Sequence, residues 1–312
     1  MGFKVLITDG LEKEGVDIIN AAGEAVNKKG IEADELLQII GEYDGLIVRG
    51  RTKVTREVFE AAKNLKVVGR AGVGVDNIDL QAAKDHGVTV VNAPVATTIA
   101  VAELGFGMML ALVRDIPHTD SEMKHDNWTK KNYKGHELHG KTLGIVGYGN
   151  IGSTIGKYAQ ALGMKVLCYD PIRNIDEMRA TGADPVQLDE IYAKADIITF
   201  HVPLIPETKH MVNDETFAKM KDGVLLVNVA RGGIIEEAAL LRALESGKVA
   251  GAALDVYEKE PPVDWTIAEH PKVIAVPHVG GQTEEAQLRV AGDIASEVMN
   301  VLNGDKIRWK IC

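Results

Sequence analysis

The sequence predicts an α/β protein with two doubly wound parallel sheets, one from each half of the chain. Three observations lead there. Short β-branched runs alternate with helical stretches along nearly all of the 312 residues. A long helical stretch over about 97–114, followed by a polar, His- and Lys-rich stretch at 118–140 without clear period, divides that alternation into two series. Hydrophobic residues make up 46% of the chain but aromatics only 5%. The cores must therefore be aliphatic, which suits strands buried on both faces. Strand–helix–strand alternation pairs its strands in parallel through right-handed crossovers. The length fits two domains of ordinary size.

In the first series, strands are expected at 4–8, 45–48, 66–69 and 88–91. Helices are expected between and after them, at 15–22, 33–40, 55–62 and 80–85. A long helix should run over about 97–114, closed by Pro117. In the second series, strands are expected at 142–146, 165–169, 197–200, 224–229, 251–256 and 273–276. A final helix should begin near residue 283.

Composition removes several function classes. A net charge of −10 without a long Lys/Arg run argues against nucleic acid or anionic membrane as partner. The two cysteines, Cys168 and Cys312, offer neither a disulfide framework nor metal-ligand spacing. No metal is expected, and a reducing cytoplasm is the expected compartment. The N-terminal residues lack the apolar stretch of a signal peptide. The most apolar long stretch, 99–113, carries Glu103 and is too short to span a bilayer.

The strongest local motif is Gly147-Tyr148-Gly149-Asn150-Ile151-Gly152. It follows the strand at 142–146 and opens a helix expected to run to Leu162. Glycines there permit a tight turn and close backbone approach to a pyrophosphate, with amide donors at the helix start. Asp170 ends the next strand, 18 residues after Gly152, where a carboxylate would accept the ribose hydroxyls. This is a Rossmann dinucleotide site. Asp170 selects NAD over NADP, because a carboxylate repels a 2′-phosphate. Arg173 nearby reads as a solvated loop residue.

Three further residues follow later strands in turn. Arg231 stands in Asn228-Val229-Ala230-Arg231-Gly232-Gly233, Glu260 in 254–262 and His278 in Val276-Pro277-His278-Val279-Gly280-Gly281. Ligands of open α/β sheets bind outside such strand ends. Hydride transfer involving a ketone needs a proton donor or acceptor, a carboxylate to orient it, and a cation for the substrate. His278, Glu260 and Arg231 supply these roles. Glu258 reads as a polar turn residue.

These segments, with Arg70-Ala71-Gly72-Val73-Gly74-Val75-Asp76-Asn77-Ile78-Asp79 and His201-Val202-Pro203, resemble the D-isomer-specific 2-hydroxyacid dehydrogenase family, in order and over nearly the whole chain. The resemblance implies the Arg231/Glu260/His278 triad. It implies a cofactor set extended to Tyr169, His201, Val202, Pro203, Thr208, Val229, Ala230, Asp255, His278, Gly280 and Gly281, with Asp255 meeting the nicotinamide carboxamide. Amides near Gly74 and Val75 would meet the substrate carboxylate. It further implies a Rossmann domain, 98–283, inserted into a discontinuous flavodoxin-like substrate domain, 1–97 plus 284–312. A homodimer would form through about 98–140. The sequence departs from the family at Gly50, where Ser is common, and at Thr97, where Asn is frequent. No regulatory domain is expected after residue 312.

The basic residues Arg49, Arg51, Lys53 and Arg70 would serve a substrate phosphate, and Gly50 is counted with them as a substrate contact. The family resemblance, taken with these residues, implies oxidation of D-3-phosphoglycerate to 3-phosphohydroxypyruvate as the expected reaction. A hydroxypyruvate or glyoxylate reductase of the same family is the alternative. An NAD-sensing corepressor is the alternative from another class, though the chain lacks the disordered tails and nuclear signals such proteins carry.

Overall fold

The computed structural model describes residues 2–312. The first five strands and four helices alternate in order. They are β1 (Phe3–Ile7), α1 (Lys13–Asn20), β2 (Gly23–Asn27), α2 (Ala33–Ile39), β3 (Gly45–Val48), α3 (Arg56–Ala61), β4 (Val67–Arg70), α4 (Leu80–Asp85) and β5 (Thr89–Asn92). Next come α5 (Thr98–Val113), α6 (Ile116–Lys124), β6 (Thr142–Val146), α7 (Asn150–Ala161), β7 (Lys165–Tyr169), α8 (Ile175–Ala180) and β8 (Asp184–Pro185). The chain continues through α9 (Leu188–Lys194), β9 (Ile197–Phe200), α10 (Asp214–Lys219), β10 (Val224–Asn228), α11 (Glu237–Ser246), β11 (Val249–Leu254) and β12 (Val273–Ala275). It closes with α12 (Glu284–Asn303).

Two compact units result, residues 1–97 with 281–312, and residues 98–280. The second crossing lies three residues before the expected one. The first unit holds a parallel sheet of order β2-β1-β3-β4-β5. The second holds a parallel sheet of order β12-β11-β10-β9-β6-β7-β8. Successive strand residues point to opposite faces. Leu6, Leu46, Val48, Val68 and Val90 therefore fill one core of the first unit, while Val5, Ile7, Ile47, Val67 and Val91 fill the other. The second unit divides likewise, with Leu226 and Leu254 on one face and Val227 and Ala253 on the other. Two-sided burial explains why the strands read as unbroken apolar runs.

The structure corrects the sequence reading at three places. β2 and β8 were not expected. Both lie at sheet edges, and Gly23-Glu24-Ala25-Val26-Asn27 is half-buried at most, so neither needs an apolar run. Pro117 does not close the long helix. α5 ends at Val113, and Pro117 occupies the first turn of α6, where its missing N–H costs no helical bond. Among the described residues no helix is long and apolar enough to cross a membrane.

The far edge of the first sheet is covered by the chain's own end. Ile311 N donates to Val90 O at 2.8 Å and Asn92 N to Trp309 O at 3.3 Å, an antiparallel addition to β5 that removes an open edge. Glu297 on α12 tethers this segment. Its side chain is 0% exposed and accepts Arg308 N at 2.8 Å, Trp309 N at 3.0 Å and Arg308 Nε at 2.9 Å. These bonds to the charged form outweigh burial and hold its carboxyl below the usual range. Glu297→Ala should therefore release the terminal segment and cost about 1–3 kcal/mol, the range for orphaned buried partners. A thermal melt checks this; an unchanged midpoint would show that the tether adds nothing to stability.

Candidate active site

The glycine turn after β6 is fixed by contact rather than by flexibility. Gly147 has φ +91°, and a Cβ on it would lie 2.6 Å from the carbonyl of His201. A Cβ on Gly152 would lie 2.2 Å from Gly147 O, so α7 starts pressed against the turn. Gly149 faces open space. It is also the N-cap of α7 and provides no side chain, so the first-turn amides face outward as an anion site. Asp170, just past β7, accepts Tyr148 N at 2.9 Å through Oδ2. Its Oδ1 accepts Ile172 N at 3.0 Å and Arg173 N at 3.1 Å. The turn thus fits a dinucleotide pyrophosphate, with Asp170 shaping it from behind.

His201 hydrogen-bonds Thr199 Oγ1 through Nε2 at 2.8 Å, while Nδ1 is buried without a partner. Burial pushes its pKa down to about 3, so the ring is neutral in the working range. Its backbone, with that of Val202 and Pro203, lies along the glycine turn's side of the sheet. Thr208 caps the following loop, accepting Ile205 N at 2.9 Å and donating to Pro203 O at 2.6 Å. Tyr169 ends β7, and Val229 is buried beside α5 against Gly105.

The second unit also brings Arg231, Glu260 and His278 together. Asn228, at the end of β10, accepts Ala230 N at 3.1 Å and donates to Arg231 O at 2.9 Å, which turns the chain sharply. A Cβ on Gly232 would meet Tyr257 O at 1.8 Å, so the Arg231 loop lies directly on the Glu260 loop. Glu260 Oε1 accepts Tyr257 N at 3.1 Å, and Oε2 pairs with His278 Nδ1 at 2.6 Å. Burial alone would raise the Glu260 carboxyl, but the His278 hydrogen bond and the charges of His278 and Arg231 hold it below the usual range. Among the described residues nothing hydrogen-bonds Nε2 of His278.

His278 has φ +52°, uncommon for a residue with a side chain. Asp255, 1% exposed, holds it there. His278 N donates to Asp255 O at 2.9 Å. The Asp255 carboxylate takes Val279 N at 2.6 Å and Gly280 N at 2.9 Å. Burial pushes this carboxyl up against those two bonds. The residue expected to meet nicotinamide therefore also shapes the turn that carries His278.

Arg49 and Arg51 are engaged inside the first unit. Arg49 donates to Glu12 at 2.5 Å, to Gly10 O at 3.1 Å and to Gln287. Arg51 donates to Asp9 at 3.2 Å and to Ile31 O at 3.0 Å, yet its side chain stays 48% exposed. Asp9, which the sequence reading missed, also accepts Arg49 N, Thr52 N and Thr52 Oγ1. Its signal was a carboxylate just beyond a buried strand. Gly50 is exposed and lies beside the Arg70 guanidinium. Arg70 also donates to Ala71 O at 3.0 Å. Gly74 and Val75 are partly exposed in the loop after β4. Gly281 belongs to the first unit, next to Thr97. Among the described residues no group of three or more His, Cys, Asp or Glu could hold a metal ion.

A parallel sheet with a glycine turn opening α7, an aspartate just past β7 and a His–Glu pair beyond neighbouring strands is the arrangement of a dinucleotide-binding domain. The chain belongs to the D-isomer specific 2-hydroxyacid dehydrogenase family, whose NAD binding domain profile matches residues 106–280. NAD is its cofactor. It is 48% identical over 304 residues to D-3-phosphoglycerate dehydrogenase of Bacillus subtilis, covering 97% of this chain and 57% of that one. The enzyme of the same name from Methanocaldococcus jannaschii is 46% identical, with 97% and 58% covered. The chain thus spans little more than half the length of these curated relatives. Among solved structures, a glyoxylate reductase from Paecilomyes thermophila superimposes with TM-score 0.92 at 29% identity, covering 99% and 98%. D-lactate dehydrogenase from Aquifex aeolicus, complexed with NAD and lactic acid, gives 0.86 at 31% identity, covering 96% of each chain.

Two outcomes follow. Asp255→Ala should lower turnover by roughly ten- to a hundred-fold, because the turn that aims His278 loses both amide acceptors; steady-state kinetics check it. Glu260 has a depressed folded pKa, so its ionised form adds stability above the ordinary value of 4.5 and loses it as pH falls through the lower folded value. Below pH 4.5 the melting midpoint of Glu260→Gln should therefore fall less steeply than that of the wild type. Parallel curves would mean the carboxylate gains nothing from His278.

Proposed function

We propose that this chain oxidises D-3-phosphoglycerate to 3-phosphohydroxypyruvate with NAD, the opening step of serine biosynthesis. The carrying observation is the 2.6 Å contact between His278 Nδ1 and Glu260, with the Arg231 charge bearing on the same carboxylate. Bound NAD supplies the hydride acceptor. The C2–H bond of the substrate gives up its electron pair as hydride, and the 2-hydroxyl proton passes to His278 Nε2. Glu260 then faces the imidazolium, which it stabilises and keeps in orientation. Arg231 holds the substrate carboxylate and steadies charge on the reacting oxygen. The Gly74 and Val75 amides are the candidate second support for that carboxylate, and Arg51 and Arg70 the candidate ligands of the phosphate.

The substrate rests on the relatives, since several at 44–48% identity bear the name of this activity. The glyoxylate reductase likeness favours a second reading, reduction of an unphosphorylated 2-oxo acid by the same residues. A homodimer through 98–140 belongs to the proposal, supported by the exposed Ile116, Met123 and Trp128 in that segment. A cytoplasmic location goes with it, because Cys168 and Cys312 are both free thiols.

The test is a substrate panel. The wild type should show higher kcat/KM for 3-phosphohydroxypyruvate than for hydroxypyruvate or glyoxylate; the reverse order would replace the phosphorylated substrate by the reductase reading. His278→Ala should lose about 10²–10⁴-fold in turnover with NAD affinity nearly intact. Retention of most activity would remove His278 from the chemistry.

A further inference from the structure

Arg173 reads in the sequence as a solvated loop residue, but the structure commits it elsewhere. Its Nη1 donates to Tyr148 O at 2.6 Å and, more weakly, reaches Gly149 O at 3.4 Å. Its guanidinium carbon lies 5.8 Å from the centre of the Tyr148 ring. Its own amide is held by Asp170. An exposed Glu177 lies 3.9 Å from its Nε.

Tyr148 is the residue between the first two glycines. Its ring is 0% exposed and reaches beneath α7, where a Cβ on Gly156 would come within 2.9 Å of its hydroxyl. Thr181 Oγ1 donates to Met178 O at 2.7 Å, so the Tyr148 hydroxyl donates to Thr181 at 2.7 Å. The Tyr148 peptide unit is therefore pinned three ways: its N–H by Asp170, its C=O by Arg173 and its side chain by Thr181. Gly149 and Asn150 follow immediately, and their amides are the ones presented to an anion.

We propose that Arg173 is a positioning residue for the pyrophosphate turn, setting dinucleotide affinity through the Tyr148 and Gly149 carbonyls and not by touching the ligand. A turn whose carbonyls are not held can rotate its peptides and misdirect the amides that bind phosphate. One nitrogen, Nη1, reaches both carbonyls, and the guanidinium over the Tyr148 ring holds that nitrogen in place as a flexible ammonium would not be held. The same commitment turns Arg173 away from a role in reading a 2′-phosphate, so cofactor choice is left to Asp170.

The test measures binding by isothermal calorimetry with four probes: NAD, NADP, ADP and adenosine. Arg173→Ala should weaken NAD and ADP together by roughly ten-fold and leave adenosine nearly unchanged, because adenosine lacks the pyrophosphate. Arg173→Lys keeps the charge without the planar group over Tyr148 and should show the same selective loss; it also carries the comparison if Arg173→Ala does not fold. Full recovery of ADP binding in Arg173→Lys would mean a direct charge contact with the pyrophosphate and would overturn the positioning role. So would equal loss on adenosine, loss confined to NADP, or unchanged ADP affinity.

Discussion

Every strand of each sheet runs in the same direction, and this constraint places the functional residues. In a parallel sheet all carboxyl ends lie along one edge, so loops far apart in sequence emerge side by side. In the second unit β6, β9, β10 and β11 are consecutive neighbours. The glycine turn, His201, the Arg231 turn and the Asp255 turn therefore share that edge. Nothing local to any one of these segments would bring them together.

The loops at these edges are shaped by acidic side chains used as amide acceptors. Asp9 gathers the backbone at Arg49 and Thr52, Asp170 that at Tyr148, Ile172 and Arg173, and Asp255 that at Val279 and Gly280. Each stands just after a buried strand. A carboxylate offers about four acceptor sites, so one side chain can define a whole turn without a helix or strand to support it. Asp170 and Asp255 were assigned from the sequence to the cofactor, and the structure adds this architectural part to each.

Electrostatics separates the ionisable groups of the second unit by environment. His201 is pushed by burial to a pKa of about 3 and is a neutral hydrogen-bonding group. Glu260 is also partly buried but stays ionised, because His278 and Arg231 favour its charge. His201 is thus held neutral by burial, while His278 has a carboxylate at hydrogen-bond distance.

The sequence by itself determined the α/β alternation and the glycine turn, and it singled out Arg231, Glu260 and His278 as candidates. These were legible because they depend on local quantities: strand and helix period, glycine spacing, and polar residues just beyond apolar runs. It missed β2 and β8, whose edge positions relax the pattern, and it misplaced Pro117, which starts a helix as readily as it stops one. Only the tertiary structure decided partners. Glu260 and His278 are 18 residues apart, Asp9 and Arg51 42. Arg49 looks available until Glu12 and Gln287 are brought against it, whereas Arg51 meets Asp9 and still stays 48% exposed. Arg173 looks solvated until the turn it clamps folds over it. Which of a charged side chain's possible partners it meets is set by the stacking order of strands, and the period of the sequence carries no record of that order.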